Sequence, residues 1–150
     1  MSLKAKILSD FKTAFKNKNA VAKQVLAMLK SAIANKEIEL GKRDDGLDDL
    51  EIIKLVRQMI KQREESIKQF EQVGQLERAE AEAEEVNILK AYLPAQMNDE
   101  ELTKIVQEAI DEVNANGPEH LGQVMKVVMP KIAGKADGEV VRKKVIQLLS

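Results

Sequence analysis

Cysteine is absent from this 150-residue chain, and so is tryptophan. Disulfides and zinc–thiolate centres are thereby excluded. A reducing compartment, the cytosol, is the expectation. Aromatic residues make up only 3%: Phe11, Phe15, Phe70 and Tyr92. A platform that stacks unpaired bases needs more rings than that. His120 is the only histidine, and the serines (Ser2, Ser9, Ser31, Ser66 and Ser150) lie outside any nucleophile-elbow context. No Ser-His-Asp set assembles from these parts. Apolar runs never approach the roughly 18 residues of a membrane span. The opening Met1-Ser2-Leu3-Lys4-Ala5-Lys6 lacks the apolar stretch of a signal peptide. Long runs of β-branched residues with a period of two are also missing, which disfavours strands.

What remains is Ala, Leu, Ile, Val, Lys, Glu and Gln, mostly good helix formers. Apolar residues are 44% of the chain, enough for a core, and 33% are charged. The expected fold is all-α. The net charge of −1 conceals an asymmetry. Residues 1–43 hold ten basic side chains against Asp10, Glu37 and Glu39. Residues 44–96 hold seven basic and thirteen acidic ones. A basic head of this kind is either a nucleic-acid surface or a solvated helix face beside the acidic middle.

Helical spacing accounts for most of the chain. Leu3, Ile7, Phe11 and Phe15 predict a helix over 3–16, broken by Asn17-Lys18-Asn19. Val21, Val25, Met28, Leu29 and Ile33 predict a second, running to about Leu40, with Gly41 as its left-handed terminator. Asp44 to Asp49 lacks the spacing of an EF-hand loop and reads as a turn. Asp48 and Glu51 form a capping box that opens a long helix to Gly74. A further helix covers Gln75 to Tyr92, with an exposed acidic part at Glu77 to Glu85 and a buried end at Val86, Leu89, Tyr92 and Leu93. Pro94 marks a boundary, so the expected domains are 1–93 and 97–150, joined by Leu93 to Met97. Asn98, with Glu101 reciprocal, caps a helix bearing Leu102, Ile105, Val106, Ala109, Ile110 and Val113. Asn116-Gly117-Pro118 stops it, and Pro118 suits the next first turn. His120 caps or decorates that helix, which Pro130 is expected to end or kink. Asp137 caps the last helix.

Catalytic chemistry is not visible. Gly134-Lys135-Ala136 lacks the glycine spacing and hydroxyl of a Walker loop. Neighbouring acids such as Glu64-Glu65 and Glu84-Glu85 splay around their helices instead of converging. No catalytic residue, no metal and no cofactor are expected.

Several stretches nevertheless carry a resemblance. Gly122-Gln123-Val124-Met125-Lys126, followed by Gly134-Lys135-Ala136, resembles the helical tail of the GatB component of the glutamyl/aspartyl-tRNA amidotransferase. Lys61-Gln62-Arg63-Glu64-Glu65-Ser66, Tyr92-Leu93-Pro94-Ala95-Gln96 and Met129 to Gly138 extend the likeness over essentially the whole chain. On these residues the chain resembles stand-alone members of the GatB/YqeY family. The resemblance implies two all-helical domains, the second a three-helix tail that touches the body of tRNA in the amidotransferase. It also implies a label of carbon–nitrogen ligase with glutamine as amido-N-donor, although the catalytic parts of that enzyme lie in domains absent here. Carried over residue by residue, Gly122, Lys126, Gly134 and Lys135 are the motif positions.

Around that motif, Lys126, Lys131, Lys135, Arg142, Lys143 and Lys144 are six cations against Asp137 and Glu139. With Gly134 at the turn, they are the expected RNA contacts, helped by free N–H groups at the start of the last helix. Gly122 is expected to allow close helix approach, and Met125 and Met129 to fill the core. Asp137-Gly138 stands where the amidotransferase tail usually has Asn-Pro. Ala27 and Gln75 stand where relatives often carry arginine. The expected partner is structured tRNA, with no membrane and no metal. An adaptor within an aminoacyl-tRNA-related protein complex is the alternative, and ligase activity a third reading from the family label.

Overall fold

The computed structural model describes residues 2–150. Those residues form seven α-helices and one short 3-10 turn, with no strand among them. The helices are α1 (Leu3–Lys16), α2 (Ala20–Glu39), α3 (Asp49–Gln72), α4 (Leu76–Lys90), α5 (Asp99–Val113), α6 (Leu121–Ile132) and α7 (Gly138–Leu149). Two compact units result, one ending at Leu93 and one running Pro94–Ser150. Each has its own core.

The first unit holds two antiparallel hairpins, α1–α2 and α3–α4. Ile7, Val25, Leu29, Ile52, Val56 and Leu89 are fully buried at its centre. Each such side chain contributes about 1.5–3 kcal/mol of apolar burial. Polar pairs close the periphery. The Tyr92 hydroxyl donates to Asp10 Oδ2 at 2.7 Å, tying the exit of α4 to α1. Burial, and then that carboxylate, pushes the phenol well above its usual range. In the α2–α3 loop, Lys42 is ion-paired with Glu51. The pairing raises the ammonium's pKa and lowers the carboxyl's. Glu37 is buried, accepting from Lys4 Nζ at 2.7 Å and from the Leu47 N–H at 3.0 Å.

Helix ends follow local chemistry. Ser2, Asn19, Asp48, Asn98 and Asp137 each accept a backbone N–H at an N-terminus. Asp48 and Glu51 complete the capping box read from the sequence. At the other ends a left-handed residue lets two N–H groups fold back onto the last turn. Gly41, Gly74 and Asn114 fill that position after α2, α3 and α5. After α1 it is Lys18, with φ +56°.

Four expectations need correction. Pro130 does not end α6, which continues to Ile132. The proline sits on the exposed side of the last turn and removes only the bond to the Lys126 carbonyl. Gly122 is exposed, and a Cβ built there meets nothing within 4 Å, so it does not serve close helix approach. Met125 does pack against the core, whereas Met129 is exposed. The acidic part of α4 is not simply solvated. Glu82 and Glu85 both bind Arg63 of α3, with Glu82 Oε2 at 3.2 Å. Arg63 is only 9% exposed, and its other nitrogen lies 3.3 Å from Met28 Sδ.

Candidate nucleic-acid interface

The second unit is a three-helix bundle, α5 packing on both members of the α6–α7 hairpin. Val106, Val124, Val128, Ile132, Val141 and Val145 are fully buried between them. That spacing fixes where the basic residues go, because consecutive helical residues are turned about 100° apart.

The α6–α7 connection is the tightest local feature. Ala133 and Gly134 both have positive φ, +51° and +79°. The Lys135 N–H donates to the Ile132 carbonyl at 3.0 Å. Two left-handed central residues closed by this bond make a type I′ turn. Gly134 takes the conformation without strain, as its place in the motif suggests. The Lys135 carbonyl accepts from the Met97 N–H at 2.9 Å, so the segment entering the unit is pinned to the turn. Sequence reading did not find this strap. Met97 packing against the core is the only signal of it, and that is tertiary.

The six cations separate into two groups. Lys131 and Lys144 lie on the flanks of their helices that face α5. Lys131 Nζ pairs with Glu112 Oε2 at 2.9 Å. Lys144 Nζ pairs with Asp99 Oδ1 at 2.8 Å and is largely covered. Lys126, Lys135, Arg142 and Lys143 are exposed on the remaining surface. Met129 reaches to 4.0 Å of where a Cβ would stand on Gly138, so this turn of α6 lies beside the start of α7. Counted from that contact, Lys126 and Arg142 stand at one level of the hairpin. Lys143 follows on the outer side of α7, and Lys135 projects from the turn at one end. Asp99, Glu100, Glu108 and Asp111 occupy the outer face of α5. The bundle therefore has an acidic α5 side and a basic α6–α7 side.

The start of α7 does not add to the basic side as expected. The Asp137 carboxylate accepts from the Glu139 N–H at 3.2 Å and occupies the positive helix end itself. His120 also turns inward to its own segment, its Nδ1 accepting from the Asn116 N–H at 3.2 Å. Among the described residues no group of three or more His, Cys, Asp or Glu is gathered to hold a metal. Among the same residues no helix is long and apolar enough to cross a membrane.

Comparison with known proteins gives two findings. The family model described as Yqey-like protein matches residues 4–149. A curated protein of Clavispora lusitaniae, altered inheritance of mitochondria protein 41, mitochondrial, is 31% identical over 128 residues. That match takes in 83% of this chain and 72% of the relative. The relative's name gives it a mitochondrial setting, so the similarity lends no support to a cytosolic one.

Proposed function

The chain belongs to the Yqey-like protein family, and on that premise we propose that it is a non-catalytic module that holds folded RNA by its phosphate backbone. The observation that carries this reading is the separation of charge in the second unit. Lys126, Arg142 and Lys143 are exposed residues of α6 and α7, and Lys135 is exposed at the turn joining those helices, none of them with a carboxylate partner among the described residues. Lys131 and Lys144, spent on Glu112 and Asp99, orient the helices and are not counted as contacts. Four cations without aromatic neighbours read backbone, not bases. Duplex or tRNA-like substrates suit them better than single strands.

Titration of labelled tRNA at several salt concentrations tests this. Four contacts contribute roughly −3 to the slope of log affinity against log salt. No binding at low salt overturns the reading. Replacing Lys126, Arg142 and Lys143 by Gln should flatten the slope by about 2 units. Incubation with mischarged tRNA and glutamine should give no amidated product, and turnover would contradict the non-catalytic assignment.

An adaptor role is favoured by one separate observation. At the tip of the α3–α4 hairpin, Val73 and Leu76 are 67% and 61% exposed on either side of Gly74. Exposed apolar pairs at a hairpin tip suit a protein partner. A nuclease-treated pull-down that loses its partner in the Val73→Ser, Leu76→Ser variant would support it.

A further inference from the structure

A second basic surface lies on the other unit. From Phe11 to Lys36 the sequence has Lys12, Lys16, Lys18, Lys23, Lys30 and Lys36, and no acid at all. In a chain with 25 acidic residues and a net charge of −1, this is a local concentration and not a reflection of composition. Lys36 is paired with Glu39 at 3.2 Å. The other five meet no carboxylate among the described residues.

The structure brings two of these cations, Lys23 and Lys30, onto the rings of α1. Lys23 Nζ sits 4.5 Å from the centre of the Phe15 ring, and Lys30 Nζ 4.2 Å from that of Phe11. Both contacts draw cations of α2 across onto α1. The two rings are themselves 6.5 Å apart. On α1, Lys12 is three residues from Phe15 and four from Lys16, so all three are surface neighbours. Lys18 extends the strip into the connecting turn. Such a strip works against its own fold. Lys12 and Lys16 repel as a like-charged pair one turn apart. Lys18 occupies the left-handed position that Gly41, Gly74 and Asn114 fill in the equivalent turns. A lysine is strained there, and glycine is not. A polyanion removes the repulsion and makes use of the strained cation.

We propose that the α1–α2 hairpin is a second RNA-binding surface, in which Lys12, Lys16, Lys18, Lys23 and Lys30 contact the phosphate backbone. The spacing suits a polymer of phosphates: Lys12 and Lys16 are about 6 Å apart along α1, and Lys23 and Lys30 about 10 Å apart along α2. A lipid surface is disfavoured, because among the described residues the large apolar side chains exposed along the strip are few, Leu8 and Phe15. The Phe15 ring, 59% exposed, is already engaged by Lys23. Inserting helices need a broad apolar face. The hairpin shares no residue with the α6–α7 surface, and the two assignments stand or fall separately.

The test uses the full chain and labelled tRNA. One variant carries Lys12→Gln, Lys16→Gln, Lys18→Gly and Lys23→Gln; a second carries Lys126→Gln, Arg142→Gln and Lys143→Gln. The hairpin variant is expected to bind at least tenfold more weakly at low salt, with the salt slope flatter by about 3 units. Lys18→Gly alone guards against misfolding. It should raise the melting temperature, yet flatten the slope by about 1 unit. Loss confined to the α6–α7 variant overturns the hairpin assignment and keeps the other; loss confined to the hairpin variant does the reverse. Absence of tRNA binding overturns it. So does unchanged tRNA binding in the hairpin variant with loss of affinity for vesicles of phosphatidylcholine and phosphatidylserine.

Discussion

Ala133 and Glu37 show how single positions carry measurable amounts of stability. Ala133 is a non-glycine residue in the left-handed region, directly before Gly134. Its Cβ crowds the backbone there. Ala133→Gly should therefore stabilise the second unit by about 0.5 kcal/mol, seen as a higher denaturation midpoint. Glu37 is the opposite case. Its hydrogen bond from Lys4 holds the carboxyl below the usual 4.5, helped by the Leu47 N–H and opposed by burial. A carboxyl more acidic in the folded state stabilises the fold above its unfolded pKa. That contribution is lost as pH falls through the folded value. The protein should thus lose stability progressively below about pH 4.5. Glu37→Gln, which keeps an acceptor for Leu47, should lack this part of the acid sensitivity in thermal melts. Glu37→Ala leaves the Leu47 N–H without its acceptor and should cost about 1–3 kcal/mol at neutral pH.

Between elements, the charged clamp on α3 and α4 matters more than its exposed look in the sequence implies. Arg63 is buried against two carboxylates from the facing helix and the sulfur of Met28 on α2. Removing the guanidinium leaves Glu82 and Glu85 half-covered and mutually repelling. Arg63→Ala should destabilise by about 3 kcal/mol, read from denaturant titration. Arg63→Lys should recover only part of it, since a single ammonium does not reproduce a planar fork holding two acids. At α6 the proline falls close enough to the helix end that it forfeits one bond on an exposed side. Pro130 is for that reason tolerated where a mid-helix proline would not be.

Taken whole, the molecule is two small helical units with separate cores, each with acids and cations on different helices. The unit 94–150 buries eleven core residues of its own. Expressed alone it should give a helical circular-dichroism spectrum and a cooperative though shallow melt, because so short a chain buries a modest share of its surface. A non-cooperative melt would mean that its core depends on the rest of the chain. The near-zero net charge of the protein arises from partition: acids collect on α4 and the outside of α5, cations on α1–α2 and α6–α7. Polyanion binding at either basic surface is a matter of this local arrangement, and total charge says little about it.

The sequence by itself determined the elements. Apolar spacing of 3.6, the Asp48–Glu51 pair, the caps at Asn98 and Asp137, and the terminators Gly41 and Gly74 act within one turn of chain. Their effect is local and legible without a partner. The tertiary structure alone decided which charges remain available. Lys131 and Lys126 look alike in sequence, yet only one falls opposite Glu112. Glu82 and Glu84 look alike, yet only one reaches Arg63. Pairing of this kind joins residues far apart in the chain. It depends on the height and rotation of one helix against another, which side-chain packing sets and no short stretch of sequence encodes.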